Sequence, residues 1–392
     1  MKLRDKTAVR LVAWTVLSLA LTGCRPHDFP QYSPDYREYA YVTNGESGTV
    51  TVIDVVNVRI DREVAVGENP VAVAASPTRN EVYVVNRGGA GGPGSISVID
   101  AEKNAVVATI SLHRQPVSID LDPSGNLAYV ANSGSNTISV VDLKTRREAA
   151  VIGTGEEPVE ARISPDGKTL VVPNRQAGSV SLLDVGAGPA ADTVRAAFEG
   201  CLGASDAVIL PDSSKTFVAC SGGHQLMAIA LAHSQAHPNQ PDRLEAVMDV
   251  GDGPVQLALK PDGGELFVSN ALSDSISEVV TSTDDVGGAY MIGDNPIRGL
   301  VTKNNSLLYV SNLHSDEVTV YAIDDGRRLS PSIHVGEGPS AMAFSAAGHL
   351  LFVVDSRSAD VAVVRTSSQT LFTIMPTGRR PNAITVKAFR IP

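Results

Sequence analysis

The chain repeats one unit of about 41 to 50 residues along most of its length, and this repeat constrains the fold more than any other feature. One complete copy lies at residues 127–168. It contains four short runs in which apolar residues alternate, at residues 127–132, 137–142, 148–152 and 159–163. Short runs with a period of two, bounded by turn residues, indicate antiparallel β-strands. The Pro165-Asp166-Gly167 turn closes the unit, because Pro presets φ and Gly accepts a positive φ.

The first run of this unit recurs eight times, around Tyr41, Tyr83, Tyr129, Leu170, Phe217, Phe267, Tyr309 and Phe352. The second and fourth runs recur equally often. Such a period is expected of four-stranded propeller blades. The sequence therefore predicts an all-β fold, a single β-propeller of eight four-stranded blades. Seven blades is the alternative if one weak copy is an insertion.

The repeated residues resemble those of the YVTN β-propeller repeat family over about residues 39–390. The shared features are a Tyr-Val-x-Asn strand, the Ser/Thr-rich alternating strand after it, a Gly-x-x-Pro turn and a Ser-Pro-Asp-Gly turn. Two copies depart from the pattern, since Pro173 interrupts the strand of blade four and Cys220 replaces the Asn of blade five. The resemblance implies the propeller fold and little about activity, because most members of the family have no assigned activity.

The repeat begins in the middle of a blade. From Tyr39 the chain supplies strands two, three and four of blade one, and the missing innermost strand is predicted at residues 382–387. Closing the ring with this C-terminal strand removes the exposed edges that an open sheet would present.

Residues 1–23 have the pattern of a secretory signal peptide, with a basic start, a short apolar run and Leu21-Thr22-Gly23 before Cys24. The Leu-x-Gly-Cys sequence resembles a bacterial lipobox, which implies that Cys24 is lipidated and anchors the protein to a membrane. The alternative is a transmembrane anchor, but the apolar run is shorter than the roughly 20 residues of a span. Arg25 favours, by analogy, the outer membrane of the cell envelope, facing the periplasm or the cell surface. The predicted organisation is a signal peptide at 1–23, a tether at 24–38 and the propeller at 39–392.

The formal net charge is −11, and it becomes about −14 without residues 1–23, which hold four basic residues and one acidic residue. An acidic domain repels nucleic acid and anionic lipid, so no nucleic-acid partner is expected. No second apolar span follows the first, so the membrane is contacted through the lipid anchor alone. We expect a monomer.

The geometry of a propeller places its loops on two faces. The Gly-x-x-Pro turns and the loops after the Asn-ending strands share the first face, whereas the Pro-Asp-Gly hairpins lie on the second face. Binding residues usually lie on such loops, and the first-face loops vary most between copies. The candidates for binding a ligand or partner are therefore the charged first-face residues Glu68, Arg87, Arg114, Glu156, Arg175, His224, Asp252, Asp294, His314, Glu337, Arg357, Arg379 and Arg380. The alternative is that they are solvated turn residues.

Two cysteines remain besides Cys24. Cys201 enters an inner strand and Cys220 ends the next strand, on the same face. In an exported chain this placement favours a disulfide over two unpaired thiols or a pair of ligands for a soft metal.

Catalytic motifs are scarce in the sequence. It contains no Cys-x-x-Cys-His, His-Glu-x-x-His, Gly-x-Ser-x-Gly or Walker sequence, so no cofactor is predicted. His233 and His237 have the spacing of a helical metal pair, but no helix or further ligand is predicted, so no metal site is assigned. His113 occupies a Gly-x-x-Pro slot and is a weak candidate for an axial ligand or base, the alternative being a solvated turn residue.

Two classes of function remain open. The first is a membrane-tethered binding or scaffold propeller that holds a protein or small ligand, of unknown identity, on its first face. The second is a periplasmic propeller enzyme, similar to lactonases or to haem- or quinone-dependent oxidoreductases. A cluster of His and carboxylate side chains at the channel would favour the enzyme, and scattered turn charges favour binding. The charges look scattered in the sequence, so binding is the preferred interpretation.

Overall fold

The computed structural model describes residues 30–185, 188, 192–232 and 240–391. Two units are distinguished by their internal contacts, Met1–Pro34 and Asp35–Pro392. The described part of the first unit, residues 30–34, contains neither helix nor strand. The signal peptide, Cys24, His233 and His237 lie outside the described residues. The part of the chain that the structure describes has no helix that is long and apolar enough to span a membrane.

The second unit is an eight-bladed propeller, and each blade is an antiparallel sheet. Blade one has β1 (Tyr36–Asn44), β2 (Thr49–Asp54), β3 (Arg59–Ala65) and, from the other end of the chain, β33 (Pro381–Arg390). Blade two has β4 (Pro70–Ala75), β5 (Glu81–Asn86), β6 (Pro93–Asp100) and β7 (Ala105–Arg114). Blade three has β8 (Pro116–Leu121), β9 (Leu127–Asn132), β10 (Thr137–Asp142) and β11 (Arg147–Gly153). Blade four has β12 (Arg162–Ile163), β13 (Thr169–Asn174), β14 (Ser179–Asp184) and β15 (Thr193–Glu199).

The other four blades follow the same order from the innermost to the outermost strand. Blade five has β16 (Ala204–Ile209), β17 (Lys215–Cys220), β18 (Gln225–Ala230) and β19 (Arg243–Asp249). Blade six has β20 (Pro254–Leu259), β21 (Glu265–Asn270), β22 (Ser275–Val280) and β23 (Asp285–Met291). Blade seven has β24 (Pro296–Val301), β25 (Leu307–Asn312), β26 (Glu317–Ala322) and an outer strand in two pieces, β27 (Arg327–Arg328) and β28 (Ile333–His334). Blade eight has β29 (Pro339–Phe344), β30 (Leu350–Asp355), β31 (Asp360–Arg365) and β32 (Thr370–Pro376).

The predicted ring closure is confirmed. The C-terminal strand β33 pairs antiparallel with β1, in a register that runs from Tyr36 opposite Arg390 to Asn44 opposite Pro381. β1 begins earlier than the expected start of the propeller at Tyr39, and the Ile391 amide donates to the Asp35 carbonyl at 2.9 Å. Blade one is thus assembled from both ends of the second unit, and eight blades are present rather than seven.

Aromatic residues of the second strands form the core between neighbouring blades. The largest of them are fully buried, namely Tyr41, Tyr83, Tyr129, Phe217, Phe267, Tyr309 and Phe352. Tyr83 of blade two, for example, packs in one cluster with Ala128 and Val130 of blade three. Fully burying a side chain of this size contributes about 1.5–3 kcal/mol. The alternation with a period of two therefore directs apolar side chains of each blade toward the next blade. Their burial between the blades stabilises the ring.

Pro173 explains why blade four departs from the others. The Pro173 carbonyl accepts the Val159 amide at 3.0 Å, so this residue faces the inner strand. In a strand the N–H of a residue points to the same side as its carbonyl, and Pro has no N–H to donate there. The ladder is consequently interrupted, and β12 retains only Arg162 and Ile163 of the expected run.

The predicted disulfide joins Cys201 to Cys220, with a Cα–Cα distance of 4.8 Å. Cys201 stands where most blades have the Gly of the Gly-x-x-Pro turn, and Cys220 stands where they have the Asn that ends the second strand. In blade two this pair is Gly67 and Asn86, and the Gly67 amide donates to Asn86 Oδ1 at 3.1 Å. Blade five therefore replaces a hydrogen bond between these two positions with a covalent bond.

Candidate functional site

The first face is built from pairs of loops that are joined by main-chain hydrogen bonds. The Arg87 amide donates to the Asn69 carbonyl at 2.9 Å, and the Ala271 amide donates to the Gly253 carbonyl at 2.9 Å. Each bond joins a Gly-x-x-Pro turn to the loop after the neighbouring Asn-ending strand. The two kinds of loop therefore share one face, as the sequence predicts.

The buried Asn86 holds the Gly-x-x-Pro turn of blade two in place. Asn86 Nδ2 donates to the hydroxyls of Ser95 and Ser97 at 3.1 and 2.9 Å. A Cβ at Gly67 would lie 2.6 Å from the Asn86 side chain, so only Gly lets the turn approach this closely. The turn that carries Glu68 is thus held rigidly against the end of β5.

Glu68, Arg87 and Arg380 come together around a cavity of about 780 Å³ on the first face, which we call the mouth cavity. Its lining residues come from blades one and two and are Gly45, Glu46, Ser47, Gly48, Glu68, Asn69, Val71, Arg87, Arg380 and Asn382. Two carboxylates and two guanidinium groups therefore face the same space. Because Arg380 and Asn382 follow blade eight in the chain, this cavity exists only when the ring is closed.

The charges of the mouth cavity are only partly paired. Arg380 Nη1 lies 3.4 Å from Glu46 Oε1, and both side chains are mostly exposed. Arg87 donates from Nη2 to Gln115 Oε1 at 3.3 Å. Neither Arg87 nor Glu68 forms an ion pair with another described residue. The cavity thus offers a cation and an anion to a ligand.

Most of the other predicted first-face charges are paired locally or bonded to main chain. His224 Nδ1 lies 3.2 Å from Asp252, and His314 Nδ1 lies 3.5 Å from Asp294. The remaining arginine contacts are Arg175 with Glu157 at 3.6 Å, Arg357 with Asp316 at 3.1 Å, Arg114 with the Gly91 carbonyl at 2.8 Å and Arg379 with the Glu46 carbonyl at 3.4 Å. Exposed pairs of this kind contribute about 0–1 kcal/mol. Glu156 and Glu337 are not among the residues that line the mouth cavity.

His113 does not lie at the mouth. In the turn that leads into blade three, His113 stands at the position where other turns have Gly. The outermost strand of blade two, β7, continues through Arg114 instead of turning there. His113 Nε2 lies 3.2 Å from Glu148 Oε2, which belongs to β11, the outermost strand of the next blade. This position does not fit an axial ligand or base near the channel. Among the described residues, no group of His, Cys, Asp and Glu is arranged to hold a metal ion.

The central channel contains a charged cluster that the sequence analysis missed. The channel cavity has a volume of about 380 Å³ and is lined by inner-strand residues of all eight blades. Arg162 forms an ion pair with Glu160 and lies 3.8 Å from Asp120 and 3.9 Å from Asp206. Three carboxylates from blades three, four and five thus surround one guanidinium group.

Burial changes the protonation of this cluster. Burial and the neighbouring Asp206 raise the pKa of Glu160 to about 8, although Arg162 acts in the opposite direction. Burial also raises the pKa of Asp120. Burial therefore favours the neutral form of Glu160, and the ion pair with Arg162 favours the charged form.

Each carboxylate of the cluster also binds the next blade. Asp120 accepts the Ile163 amide at 3.1 Å, Glu160 accepts the Ala207 amide at 3.0 Å and Asp206 accepts the Leu257 amide at 2.7 Å. Gln256 continues the series by accepting the Gly299 amide at 2.6 Å. Neighbouring inner strands in blades three to seven are therefore linked by side chains.

A sequence signal for this cluster existed. The inner strand of blade two has only Val and Ala after Pro70, whereas the inner strands of blades three to six contain Asp120, Glu160, Asp206 and Gln256. Polar residues in a strand that tapers toward the axis indicate side chains that meet in the channel.

Comparisons with known proteins agree with this architecture. The model of the YNCE-like beta-propeller family matches residues 104–388. The model of the cytochrome D1 heme domain matches residues 4–124. No curated protein matches the chain.

Several solved structures are similar in fold. The dihydro-heme d1 dehydrogenase NirN in complex with DHE has a TM-score of 0.70 and 16% identity, covering 94% of this chain and 78% of that chain. Hydrazine synthase of Kuenenia stuttgartiensis has a TM-score of 0.57 and 22% identity, covering 72% and 91%. A putative 6-phosphogluconolactonase of Bacteroides fragilis has a TM-score of 0.58 and 15% identity, covering 92% and 100%. At these identities the likeness concerns the fold alone.

Proposed function

Because the chain belongs to the YNCE-like beta-propeller family, whose fold is a scaffold for many functions, we propose that it is a binding propeller that holds a small ligand in the mouth cavity. The observation that carries the proposal is the pair of unpaired opposite charges, Glu68 and Arg87, on one concave surface. A ligand that bears both an anionic and a cationic group matches this pair. Concave sites with a few convergent polar groups are the usual form of a small-molecule site.

The mouth cavity suits binding because its main chain is held in place. The turn that carries Glu68 is fixed by Asn86, and Arg379 and Arg380 are fixed by bonds from their turn to Ser47, Gly45 and Glu46. Preorganised groups lose little conformational entropy when a ligand binds.

The N-terminal residues and the charge of the chain bear on where the protein acts. We propose a monomer that is lipid-anchored through Cys24 in the cell envelope, in the outer membrane, and that has no nucleic-acid partner. The lipobox-like sequence and the acidic charge of the chain support these points.

The test is a titration of the protein with zwitterionic amino acids and dipeptides, in which binding is measured by isothermal titration calorimetry. Charge reversal of Arg87 or Arg380 to Glu should weaken binding by tenfold or more, because a hydrogen bond to a charged group contributes about 1.5–3 kcal/mol. The melting temperature should not change, since both side chains are on the surface. The matched control is Lys168→Glu on the second face. A ligand that responds to Lys168→Glu and ignores both arginine variants would refute the proposed site.

One observation favours the alternative, an extracytoplasmic enzyme. Glu160 has a pKa near neutrality in a polar channel, as an acid–base catalyst requires. However, Glu160 and Asp206 already accept main-chain amides of the next blade, which accounts for their placement as links between blades. The residues lining the mouth cavity and the channel include no His, so they do not supply a histidine ligand for a haem iron. The enzymatic function would be established instead if the purified chain hydrolysed a lactone and the Glu160→Gln variant did not.

A further inference from the structure

The second face has an open cleft between blades seven and eight. The cleft has a volume of about 350 Å³ and is formed by the hairpin of residues 302–306, the start of β25, and the hairpin and outer turn of blade eight. It lies on the opposite side of the propeller from the mouth cavity. Its presence needs an explanation, because hairpins of other blades on this face pack against each other.

The hairpin of blade seven has lost the residue that closes the other junctions. The second residue of this hairpin is Pro in blades two to six, namely Pro77, Pro123, Pro165, Pro211 and Pro261. Three of these prolines reach the Gly of the next hairpin: a Cβ would lie 3.2 Å from Pro77 at Gly125, 3.5 Å from Pro123 at Gly167 and 2.8 Å from Pro211 at Gly263. In blade seven the residue is Lys303, and a Cβ at Gly348 of blade eight would meet nothing within 4 Å.

Two other junctions have an ion pair on this face that this junction lacks. In blade two the first residue of the second strand, Glu81, pairs with Arg146 in the outer turn of blade three at 2.8 Å. In blade five Lys215 pairs in the same way with Asp284 at 2.8 Å. The corresponding residue of blade seven is Leu307, which faces a neutral turn at residues 366–369. This junction therefore lacks both the proline contact and the ion pair that are found at the junction of blades two and three and of blades five and six.

The wall of the cleft is aromatic. Tyr309 and Phe344 meet edge to face, with ring centroids 5.6 Å apart. Tyr309 is fully buried, so Phe344 and Leu307 supply the accessible apolar surface beside which a planar apolar group fits.

The cleft also contains a cation without an ion pair to a described residue, and the buried hydroxyl of Tyr309 next to it is poorly satisfied. Tyr309 is fully buried, yet its hydroxyl donates only to the Thr366 carbonyl at 3.5 Å, which is long for such a bond. In contrast, the Tyr41 hydroxyl donates to Asn104 at 2.6 Å. Lys303 Nζ donates to the Ala346 carbonyl at 2.7 Å and forms no ion pair with a described carboxylate.

We propose that this second-face cleft is a separate binding site for a small aromatic carboxylate. The ring lies against Phe344 and Leu307, and the carboxylate is held by Lys303. The volume is near the lower end for ligand sites, which is suitable for one ring with a short side chain. This site is independent of the mouth cavity, because the two share no lining residue.

The test is an NMR titration of the full chain with phenylacetate, with phenylacetamide as the neutral analogue. Phenylacetate should bind, and phenylacetamide should bind about tenfold more weakly because it lacks the charge held by Lys303. Lys303→Met should weaken phenylacetate by about tenfold and leave phenylacetamide unchanged, which removes the difference between them. The control Lys168→Met, in the blade-four hairpin of the same face, should change neither ligand.

A second variant, Ala347→Leu, tests the cleft itself. Ala347 lies on the exposed hairpin of blade eight and lines the cleft, so a larger side chain should fill it and abolish binding of both probes without lowering the melting temperature. The proposal is overturned if phenylacetate does not bind the unmodified chain. It is also overturned if phenylacetate binds equally well to the Lys303→Met or Ala347→Leu variants.

Discussion

The two carboxyl groups Asp355 and Asp360 should make the stability of this propeller depend on pH. They stand directly opposite each other in β30 and β31, at the position where five of the other seven blades pair an Asn with a Ser or Thr. Burial and the bond to Asp360 raise the pKa of Asp355 to about 8, compared with about 3.9 in an unfolded chain. The folded state therefore holds a proton that the unfolded state has released between these two values.

The sign follows from proton linkage. Where the folded state binds more protons than the unfolded state, the free energy of unfolding falls as the pH rises. The stabilisation is complete below about pH 4. It decreases as the pH rises and is lost at about pH 8. One pKa unit corresponds to about 1.4 kcal/mol, so the pair should lower the free energy of unfolding by about 2–3 kcal/mol between pH 5.5 and 7.5.

Asp355→Asn restores the residue found in most blades and should remove this dependence. The amide can donate a hydrogen bond to the Asp360 carboxylate. We expect the melting temperatures of the variant and the unmodified chain to diverge as the pH rises from 5.5 to 7.5, with the variant more stable at the higher pH. Differential scanning calorimetry measures this. Asp325→Asn, which removes an exposed carboxylate, is the control and should follow the unmodified chain. The reasoning fails if Asp355→Asn shows the same pH dependence as the unmodified chain.

Three further predictions concern the ends of the chain and its cysteines. Deleting residues 381–392 should expose the inner edge of β1 and abolish cooperative unfolding in calorimetry; an unchanged melting curve would contradict the role of β33. Replacing Cys24 with Ala should move the protein from the membrane to the soluble periplasmic fraction, and a variant that stays in the membrane after a high-salt wash would contradict lipidation. The Cys201–Cys220 disulfide spans 19 positions, so replacing both residues with Ser should cost about 3 kcal/mol in the chain-entropy model. Thiol labelling of the unfolded, unreduced chain should modify neither cysteine, and modification of both would show that they are free.

The fold could be predicted because its determinants are local and repeated. Each copy carries its own alternating strands and turns, so eight copies specify eight blades, and a blade that lacks one strand requires the end of the chain to complete it. The disulfide was predictable for the same reason, since the repeat places Cys201 and Cys220 at positions that meet in most blades.

The sites were harder to predict because they combine residues from different copies. Glu160 and Asp206 meet in the channel only because adjacent inner strands present the same side toward the axis. The repeat pattern, in contrast, favours the loops as the place of binding residues. Of the charged first-face residues, Glu68, Arg87 and Arg380 converge on the mouth cavity because ring closure brings blades eight, one and two together. The position of His113 was predicted wrongly because the Gly-x-x-Pro spacing indicates a turn there, whereas the outermost strand β7 continues through this residue.

The bond between Cys201 and Cys220 also makes blade five a template for protein engineering. Gly67 and Asn86, Gly155 and Asn174, Gly251 and Asn270, and Gly293 and Asn312 occupy the same two positions of their blades at the same spacing. In each pair a Cβ built on the Gly would approach the Asn side chain to within 2.9 Å. The Cβ atoms of a disulfide lie roughly 3.5–4.5 Å apart, so a pair of cysteines at any one of these positions should close once the turn moves outward by about 1 Å. Covalent staples could then be added blade by blade to a ring that naturally carries one.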